Sequence, residues 1–174
     1  LGVEVAGLSF HVGSQVPSPD MHVAAIRACA DLIVAARAQG VPLAVLDIGG
    51  GFAVPYLRPV PPIDVFCAPI RAALATLPAD VRVIAEPGRF VVAPAGIAVA
   101  SVMGRAERNG RMWYYLDDGV YGTFSGRMFE SMEYPIAALD RTGPVAPAVL
   151  AGPTCDSVDV VAEDIELPRL EIGD

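Results

Sequence analysis

The chain has 174 residues, of which 53% are hydrophobic, and 20 acidic against 12 basic residues give it a formal charge of -8. The apolar content is sufficient for a substantial core and excludes intrinsic disorder, and the acidic balance disfavours nucleic-acid binding. No segment has the roughly 20 apolar residues of a spanning helix, and no basic segment precedes an apolar run as in a secretory signal, so we expect a cytoplasmic protein.

The first hundred residues predict alternating strands and helices, which is the pattern of an α/β fold. Ser18 and Pro19 are typical of a helix start and Gly40 of a helix stop. Pro69 should kink or split the second helix. The predicted strands are 5–12, 43–48 and 81–85, of which the second and third are expected to be buried, and the predicted helices are 18–40 and 63–77.

The remainder of the chain has a different character, with strands and loops predominating because prolines recur too often for long helices. The pair Asn109-Gly110 lies between two apolar segments and predicts a hairpin with a type I′ turn. We therefore predict two domains, 1–96 and 97–174.

The three cysteines and the absence of lysine limit the chemistry that side chains of this chain can perform. Cys29, Cys67 and Cys155 are an odd, widely spaced set without a C-x-x-C pair, so neither a disulfide framework nor a metal site is predicted, and a reducing compartment fits. All 12 basic residues are arginine, so no side chain of this chain can form a Schiff base. The segment from Cys155 to Asp174 holds seven acids and one base, which we interpret as a solvated face.

Three predicted strands of the first domain end in polar or glycine-rich clusters: 11–14, 49–52 and 86–89. Because the carboxyl ends of parallel strands share one face, the three clusters should converge there. Glycine amides with the Ser14 hydroxyl and the Arg89 guanidinium would suit a phosphate, although Gly49, Gly50 and Gly51 alone could equally form a plain tight turn.

Two side chains in these clusters could act on a cofactor. Glu86 could hold the protonated nitrogen of a pyridine ring, which makes such a ring an electron sink, or it could form an ion pair with an arginine such as Arg89. His11 could be a buried core histidine or a flat group lying against a cofactor ring, and its neighbours favour the second interpretation.

The second domain offers weaker signals from its residues alone. Cys155 and Asp156 place a thiol and a carboxylate in one loop, but no histidine is near enough to activate the thiol, and a structural loop is the alternative. Asp117 and Asp118 precede a glycine, which favours a turn over a cation site. Ser125 lacks the flanks of a nucleophile elbow.

Taken together, five segments resemble the ornithine decarboxylase family, the fold type III pyridoxal-phosphate-dependent basic amino acid decarboxylases. They occur in the family's order and cover nearly the whole chain. The segments are SFHVGS (9–14), LDIGGGF (46–52), AEPGRF (85–90), DDGVYGTF (117–124) and GPTCDSVD (152–159).

The resemblance implies a role for each cluster. His11 would stack on the ring of pyridoxal 5'-phosphate, Glu86 would pair with its nitrogen, and Ser14, Gly51, Gly88 and Arg89 would hold the phosphate. Gly49 and Gly50 are further predicted cofactor-binding residues. Cys155 would protonate the carbanion left when carbon dioxide departs. His11, Glu86 and Cys155 are thus the predicted catalytic residues.

The substrate's distal amine would be bound by Asp156, with Tyr121 and Glu130 as further substrate-binding residues. Ornithine decarboxylases usually present an aspartate where this chain has Glu130, so the longer side chain could favour lysine or arginine, or Glu130 could lie on a solvated turn. The resemblance also implies a homodimer in which Cys155 and Asp156 reach the partner's active site.

The family's fold implies that residues 1–96 are the C-terminal half of an alanine-racemase-like (β/α)8 barrel and 97–174 part of a β-rich C-terminal domain. We expect the chain to be an inactive fragment without the Schiff-base lysine. The expected reaction is decarboxylation of L-ornithine to putrescine. Alternatives are arginine, lysine or diaminopimelate decarboxylation, or a non-catalytic regulator.

Overall fold

The computed structural model describes residues 2–174 and divides into two compact units, Leu1–Gly96 and Ile97–Asp174. The elements of the first unit are β1 (Gly7–Ser9), α1 (Asp20–Ala38), β2 (Val45–Asp47), α2 (Ile63–Leu74), β3 (Arg82–Ile84), α3 (Gly88–Val92) and a 3-10 turn (Ala93–Ala95). Those of the second unit are β4 (Val102–Arg108), β5 (Arg111–Leu116), α4 (Gly126–Glu130), β6 (Val145–Ala151) and β7 (Val160–Pro168).

The first unit is a three-stranded parallel sheet in the order β1-β2-β3, with helices between successive strands. Residues three and four apart share a helix face, so α1 and α2 each have an apolar face. The core forms where these two faces pack against β2. Ile26, Ile33 and Leu46 are fully buried there, and Cys29 and Cys67 pack against the same cluster. The predicted α/β class is confirmed.

The ends of α1 lie within two residues of the predicted signals, since the helix begins at Asp20, with Pro19 rather than Ser18 at the N-cap position, and ends at Ala38. The Asp20 amide donates to the Ser18 hydroxyl over 3.3 Å, and Gly40 terminates the helix with a φ of +83°. Pro69 lies inside α2, which continues to Leu74. The expectation that Pro69 would split this helix was therefore wrong.

Strand β3 departs from its prediction as a buried strand. All three of its residues are exposed, and β3 lies at the edge of the three-stranded sheet formed by the described residues. Val83 and Ile84 are 40% and 38% exposed. Glu86, which follows this strand, is correspondingly exposed within the part of the chain that is described.

The second unit is a four-stranded sheet in the order β4-β5-β6-β7, with the central pair parallel and the outer pairs antiparallel. Asn109 and Gly110 join β4 to β5 with φ values of 52° and 73°, the left-handed conformations that a type I′ turn requires. Tyr114, Leu150 and Val161 are among the buried residues of its core.

The acidic segment of the second unit is more than a solvated face. Asp159 is buried, at 2% exposure, and three other acids form ion pairs with arginines. The pairs are Asp164 with Arg111, Glu171 with Arg105 and Arg169, and Asp174 with Arg141. Throughout residues 2–174, each helix is too short or too polar to cross a membrane.

Candidate active site

The three polar clusters of the first unit meet at the carboxyl ends of its strands. The Glu86 amide donates to the Gly49 carbonyl over 2.8 Å, and the Gly50 amide donates to His11 Nδ1 over 3.2 Å. The loop after β2 therefore lies between the loops that follow β1 and β3.

The loop of Gly49, Gly50 and Gly51, here called the glycine loop, requires residues without side chains. Gly49 and Gly51 have φ values of +63° and +95°, and a Cβ on Gly49 would lie 2.2 Å from the Phe10 carbonyl oxygen. The loop is tied to β2 because the Gly49 amide donates to Asp47 Oδ1 over 2.9 Å.

A cavity of about 230 Å³ opens beside this loop. Its lining includes five of the predicted cofactor-binding residues, namely Ser14, Gly51, Glu86, Gly88 and Arg89. A hydroxyl, a guanidinium and glycine backbone are the donor types that bind phosphate, and a carboxylate at the same cavity suits a cationic ring nitrogen. The donor set therefore fits pyridoxal phosphate.

Gly49 and Gly50 take a different position from Gly51. Their amides donate within the protein, to Asp47 and His11 respectively, and of the three loop glycines Gly51 lines the cavity. His11 is exposed and borders the glycine loop, so it is not a buried core histidine.

Sequence reasoning missed the structural role of His22, which it assigned only to the first helix. This side chain is completely buried, and its Nε2 lies 2.9 Å from the Gly50 carbonyl oxygen. Burial lowers the pKa of His22, opposed by the hydrogen bond to Gly50. His22 precedes Ile26 by four residues and therefore shares its face of the predicted helix, which was a signal of burial, but nothing in the sequence identified the partner of His22.

The second unit brings Tyr121 and Asp156 together. The Tyr121 hydroxyl donates to Asp156 Oδ2 over 2.5 Å, and the Val158 amide donates to Oδ1 over 3.1 Å. The hydrogen bond from Tyr121 lowers the pKa of Asp156, and the same contact raises the pKa of Tyr121. At neutral pH Asp156 is therefore an exposed carboxylate that can accept a cation.

Asp159 was also missed by sequence reasoning. Its Oδ1 accepts from the Val120 amide over 2.9 Å, and its Oδ2 accepts from the Thr154 amide and hydroxyl over 3.0 and 2.7 Å. A Cβ on Gly119 or Gly152 would lie within 2.2 Å of this carboxylate. Asp159 thus joins the loop that carries Tyr121 to the loop that carries Asp156.

Cys155 and Glu130 are both exposed in the second unit. Cys155 lies beside Asp156 in the loop between β6 and β7, and Glu130 is the last residue of α4. Asp118 accepts from the Gly119 and Thr123 amides, as expected of a turn residue. The described residues contain no cluster of three or more ligating side chains that could hold a metal ion.

An α/β unit with a phosphate-type cavity at its strand ends is the architecture of a cofactor-binding domain. Residues 1–93 match the family model described as "Pyridoxal-dependent decarboxylase, pyridoxal binding domain". The chain belongs to this family, the fold type III pyridoxal-phosphate-dependent basic amino acid decarboxylases, whose cofactor is pyridoxal phosphate.

Among curated relatives, the lysine/ornithine decarboxylase of Selenomonas ruminantium is 37% identical over 174 residues, which cover 99% of this chain and 44% of that protein. Antizyme inhibitor 2 of Xenopus laevis is 32% identical over 192 residues, covering 100% of this chain and 42% of that relative. The chain thus spans less than half the length of these relatives.

Among solved structures, the lysine/ornithine decarboxylase of Vibrio vulnificus complexed with cadaverine is 57% identical, with a TM-score of 0.87. The match covers 98% of this chain and 47% of that chain. The same enzyme complexed with putrescine matches with a TM-score of 0.84.

Proposed function

We propose that the natural-length protein carrying these residues is a pyridoxal-phosphate-dependent decarboxylase that converts L-ornithine to putrescine in the cytoplasm. The observation that carries this proposal is the cavity where Ser14, Gly51, Glu86, Gly88 and Arg89 meet at the strand ends. It combines phosphate donors with a carboxylate in a chain of this family.

The proposal includes the fold of the natural-length protein. The sheet order β1-β2-β3 follows the chain, with parallel strands and helices between them, as in a (β/α)8 barrel. Residues 1–96 would form the C-terminal half of this barrel, and residues 97–174 would be part of the β-rich C-terminal domain.

Pyridoxal phosphate, when bound, supplies an electron sink for the electrons released as the substrate loses its carboxyl group. Ser14, Gly51, Gly88 and Arg89 would hold its phosphate. Gly49 and Gly50 would act by keeping the glycine loop in shape, since their amides donate within the protein. Glu86 would keep the ring nitrogen protonated, and His11 would lie against the ring.

The second unit carries the residues that we propose to act on the substrate. We propose that Asp156 and Glu130 bind the distal ammonium group, with Tyr121 orienting Asp156, and that Cys155 delivers a proton to the substrate carbon. Tyr121 contacts Asp156 and lowers its pKa, which keeps the carboxylate charged for such a cation. These residues would act in a homodimer with shared active sites.

Lysine is the second substrate that we propose. The 57%-identical Vibrio vulnificus enzyme is described as a lysine/ornithine decarboxylase and was solved with cadaverine and with putrescine. Glu130 has one methylene more than aspartate, which changes where a carboxylate meets the distal ammonium group.

The test is to assay the purified natural-length protein, loaded with pyridoxal phosphate, for carbon dioxide release from ornithine, lysine, arginine and diaminopimelate. Release with the highest kcat/KM on ornithine, followed by lysine, is expected. Cofactor binding without release from any of the four would contradict the enzyme proposal and favour the non-catalytic regulator, whereas preference for arginine or diaminopimelate would contradict the substrate assignment.

A further inference from the structure

The glycine loop contacts a buried residue that has no role in the predicted site or in the proposed chemistry. His22, on the first turn of α1, is completely buried and directs Nε2 at the Gly50 carbonyl oxygen, 2.9 Å away. A carbonyl oxygen only accepts hydrogen bonds, so Nε2 must carry a proton. His22 is therefore a donor to the loop.

Within the described part of the chain, the His22 ring makes one hydrogen bond and is otherwise surrounded by aromatic side chains. Its ring packs among Phe10, Phe52 and Phe66, with ring centroids 6.4, 5.1 and 5.9 Å away. Nδ1 is buried without a hydrogen-bond partner in the described part of the chain. A proton on Nδ1 would be a buried donor without an acceptor, whereas a proton on Nε2 has the Gly50 carbonyl as its acceptor, which again favours the neutral Nε2–H form.

Gly50 is fixed at both ends of its backbone by histidines. Its carbonyl accepts from His22, and its amide donates to His11 Nδ1 over 3.2 Å. A Cβ on Gly50 would lie 2.6 Å from the Glu86 carbonyl oxygen, so the loop is also packed against the third strand end. The next residue, Gly51, lines the cavity.

We propose that His22 is a positioning residue for phosphate binding, which holds the Gly50 carbonyl and thereby fixes the Gly51 edge of the cavity. This inference rests on the proposed function, since the phosphate is that of pyridoxal phosphate. A phenylalanine at position 22 would keep the aromatic packing and remove the donor. A glutamine would keep an N–H donor near the position of Nε2.

The experiment measures dissociation constants of apo-protein for pyridoxal phosphate and for pyridoxal, which has the same ring and aldehyde without the phosphate. In the natural-length protein, His22→Phe should weaken pyridoxal phosphate binding roughly three- to tenfold, the effect of losing one neutral hydrogen bond. Binding of pyridoxal should change by less than twofold, and His22→Gln should recover most of the lost affinity.

The matched control is Ile33→Val, which alters a fully buried residue of the same helix about three turns beyond His22. It should leave both dissociation constants unchanged. Equal weakening of pyridoxal phosphate and pyridoxal by His22→Phe, no weakening of either, or the same effect in Ile33→Val would overturn the positioning role. Wild-type protein that fails to bind pyridoxal phosphate would overturn the proposed function itself.

A second measurement covers the case in which His22→Phe does not fold. Nitrogen-15 spectra of wild-type protein labelled at histidine should show His22 as a neutral ring protonated at Nε2, assigned by loss of its signals in His22→Gln. A ring protonated at Nδ1 instead would contradict the donor role, because Nε2 could then give no proton to Gly50.

Discussion

Glu86 is the residue on which the proposed chemistry depends most. Its backbone is fixed on both sides, since its amide donates to Gly49 and its carbonyl accepts from the Gly88 amide, each over 2.8 Å. Its side chain is exposed in this chain and lines the cavity. A fixed backbone places Glu86 reproducibly at the cavity, as a partner of a ring nitrogen requires.

We predict that Glu86→Ala lowers kcat of the natural-length protein by roughly 100-fold or more. The carboxylate stabilises the ring-nitrogen proton mainly while charge flows into the ring, which is a transition-state effect. The dissociation constant for pyridoxal phosphate should rise far less, because the phosphate donors remain. Glu86→Gln is the matched comparison without the charge, and equal losses of rate and cofactor binding would show that Glu86 has another role.

Cys155 is exposed beside Asp156, and we predict that it directs a proton rather than enabling carbon dioxide loss. Cys155→Ala should therefore still decarboxylate, but it should divert turnovers to transamination products and pyridoxamine phosphate. Mass spectrometry of the products checks this, with Ser157→Ala, an exposed neighbour in the same loop, as control. Only the clean amine at the normal rate would remove Cys155 from the mechanism.

At the scale of elements, one buried carboxylate sets the geometry of two loops. Asp159 accepts hydrogen bonds from Val120 and Thr154, and these hydrogen bonds offset the free-energy cost of burying its carboxylate. Burial alone would raise the pKa of Asp159, but the hydrogen bonds from Thr154 and Val120 outweigh it and lower the pKa. The loops bearing Tyr121 and Asp156 therefore share one anchor.

We predict that Asp159→Asn lowers the free energy of unfolding by roughly 1–3 kcal/mol, because an amide group would face a backbone donor inside the fold. The native pKa lies below the unfolded value, so the wild-type contribution is present above that unfolded value and is lost as pH falls through the native pKa. Urea unfolding at pH 7 and at acid pH measures both effects.

The control for this prediction is Asp164→Asn. Asp164 lies on β7 and forms an exposed ion pair with Arg111, and the substitution removes the negative charge from this pair. Its effect should stay below about 1 kcal/mol, since exposed ion pairs contribute little. Two variants of equal stability at pH 7 would contradict the anchoring role of Asp159.

Local sequence signals predicted those features of the fold that depend on a few neighbouring residues, such as helix ends and tight turns. Ser18 and Gly40 marked the ends of α1, and Asn109-Gly110 marked the hairpin, because capping and left-handed turns depend on neighbours in the chain. Pro69 does not split α2, because burial of the helix's apolar face in the core offsets one lost backbone hydrogen bond. Burial of β3 was mispredicted because an apolar strand does not reveal which strands lie beside it.

The candidate site was predicted where motifs end strands and missed where contacts are distant in sequence. The clusters at His11, Gly49 and Glu86 converge because parallel strands share an end. The contact of His22 with Gly50 spans 28 residues, and that of Asp159 with Val120 spans 39. Helix spacing can indicate that a histidine such as His22 is buried, but the sequence does not identify the hydrogen-bond partner, which the fold brings from a distant segment.

For the whole molecule, charge distribution bears on substrate choice. The formal charge is -8, and the second unit carries Asp156 and Glu130 as exposed acids. A cationic amino acid is attracted by such a surface, and a charge-assisted hydrogen bond in a partly buried pocket contributes roughly 1.5–3 kcal/mol. In the proposed homodimer Asp156 would reach the active site of the partner subunit and bind the substrate's distal ammonium group there.

We predict that Glu130→Ala in the natural-length protein lowers kcat/KM for the preferred basic amino acid by roughly ten- to more than a hundredfold, which is the kinetic equivalent of losing that hydrogen bond. Glu130→Asp tests the length of the side chain: withdrawing the carboxylate by one methylene should change the ratio of kcat/KM for ornithine to that for lysine. Glu133→Ala, which removes an exposed acid three residues further on, should leave both values unchanged. The assay compares ornithine, lysine, arginine and diaminopimelate. If Glu130→Ala leaves kcat/KM unchanged for all four, Glu130 lies outside the substrate pocket. Asp156 would then be the acid that binds the distal ammonium group.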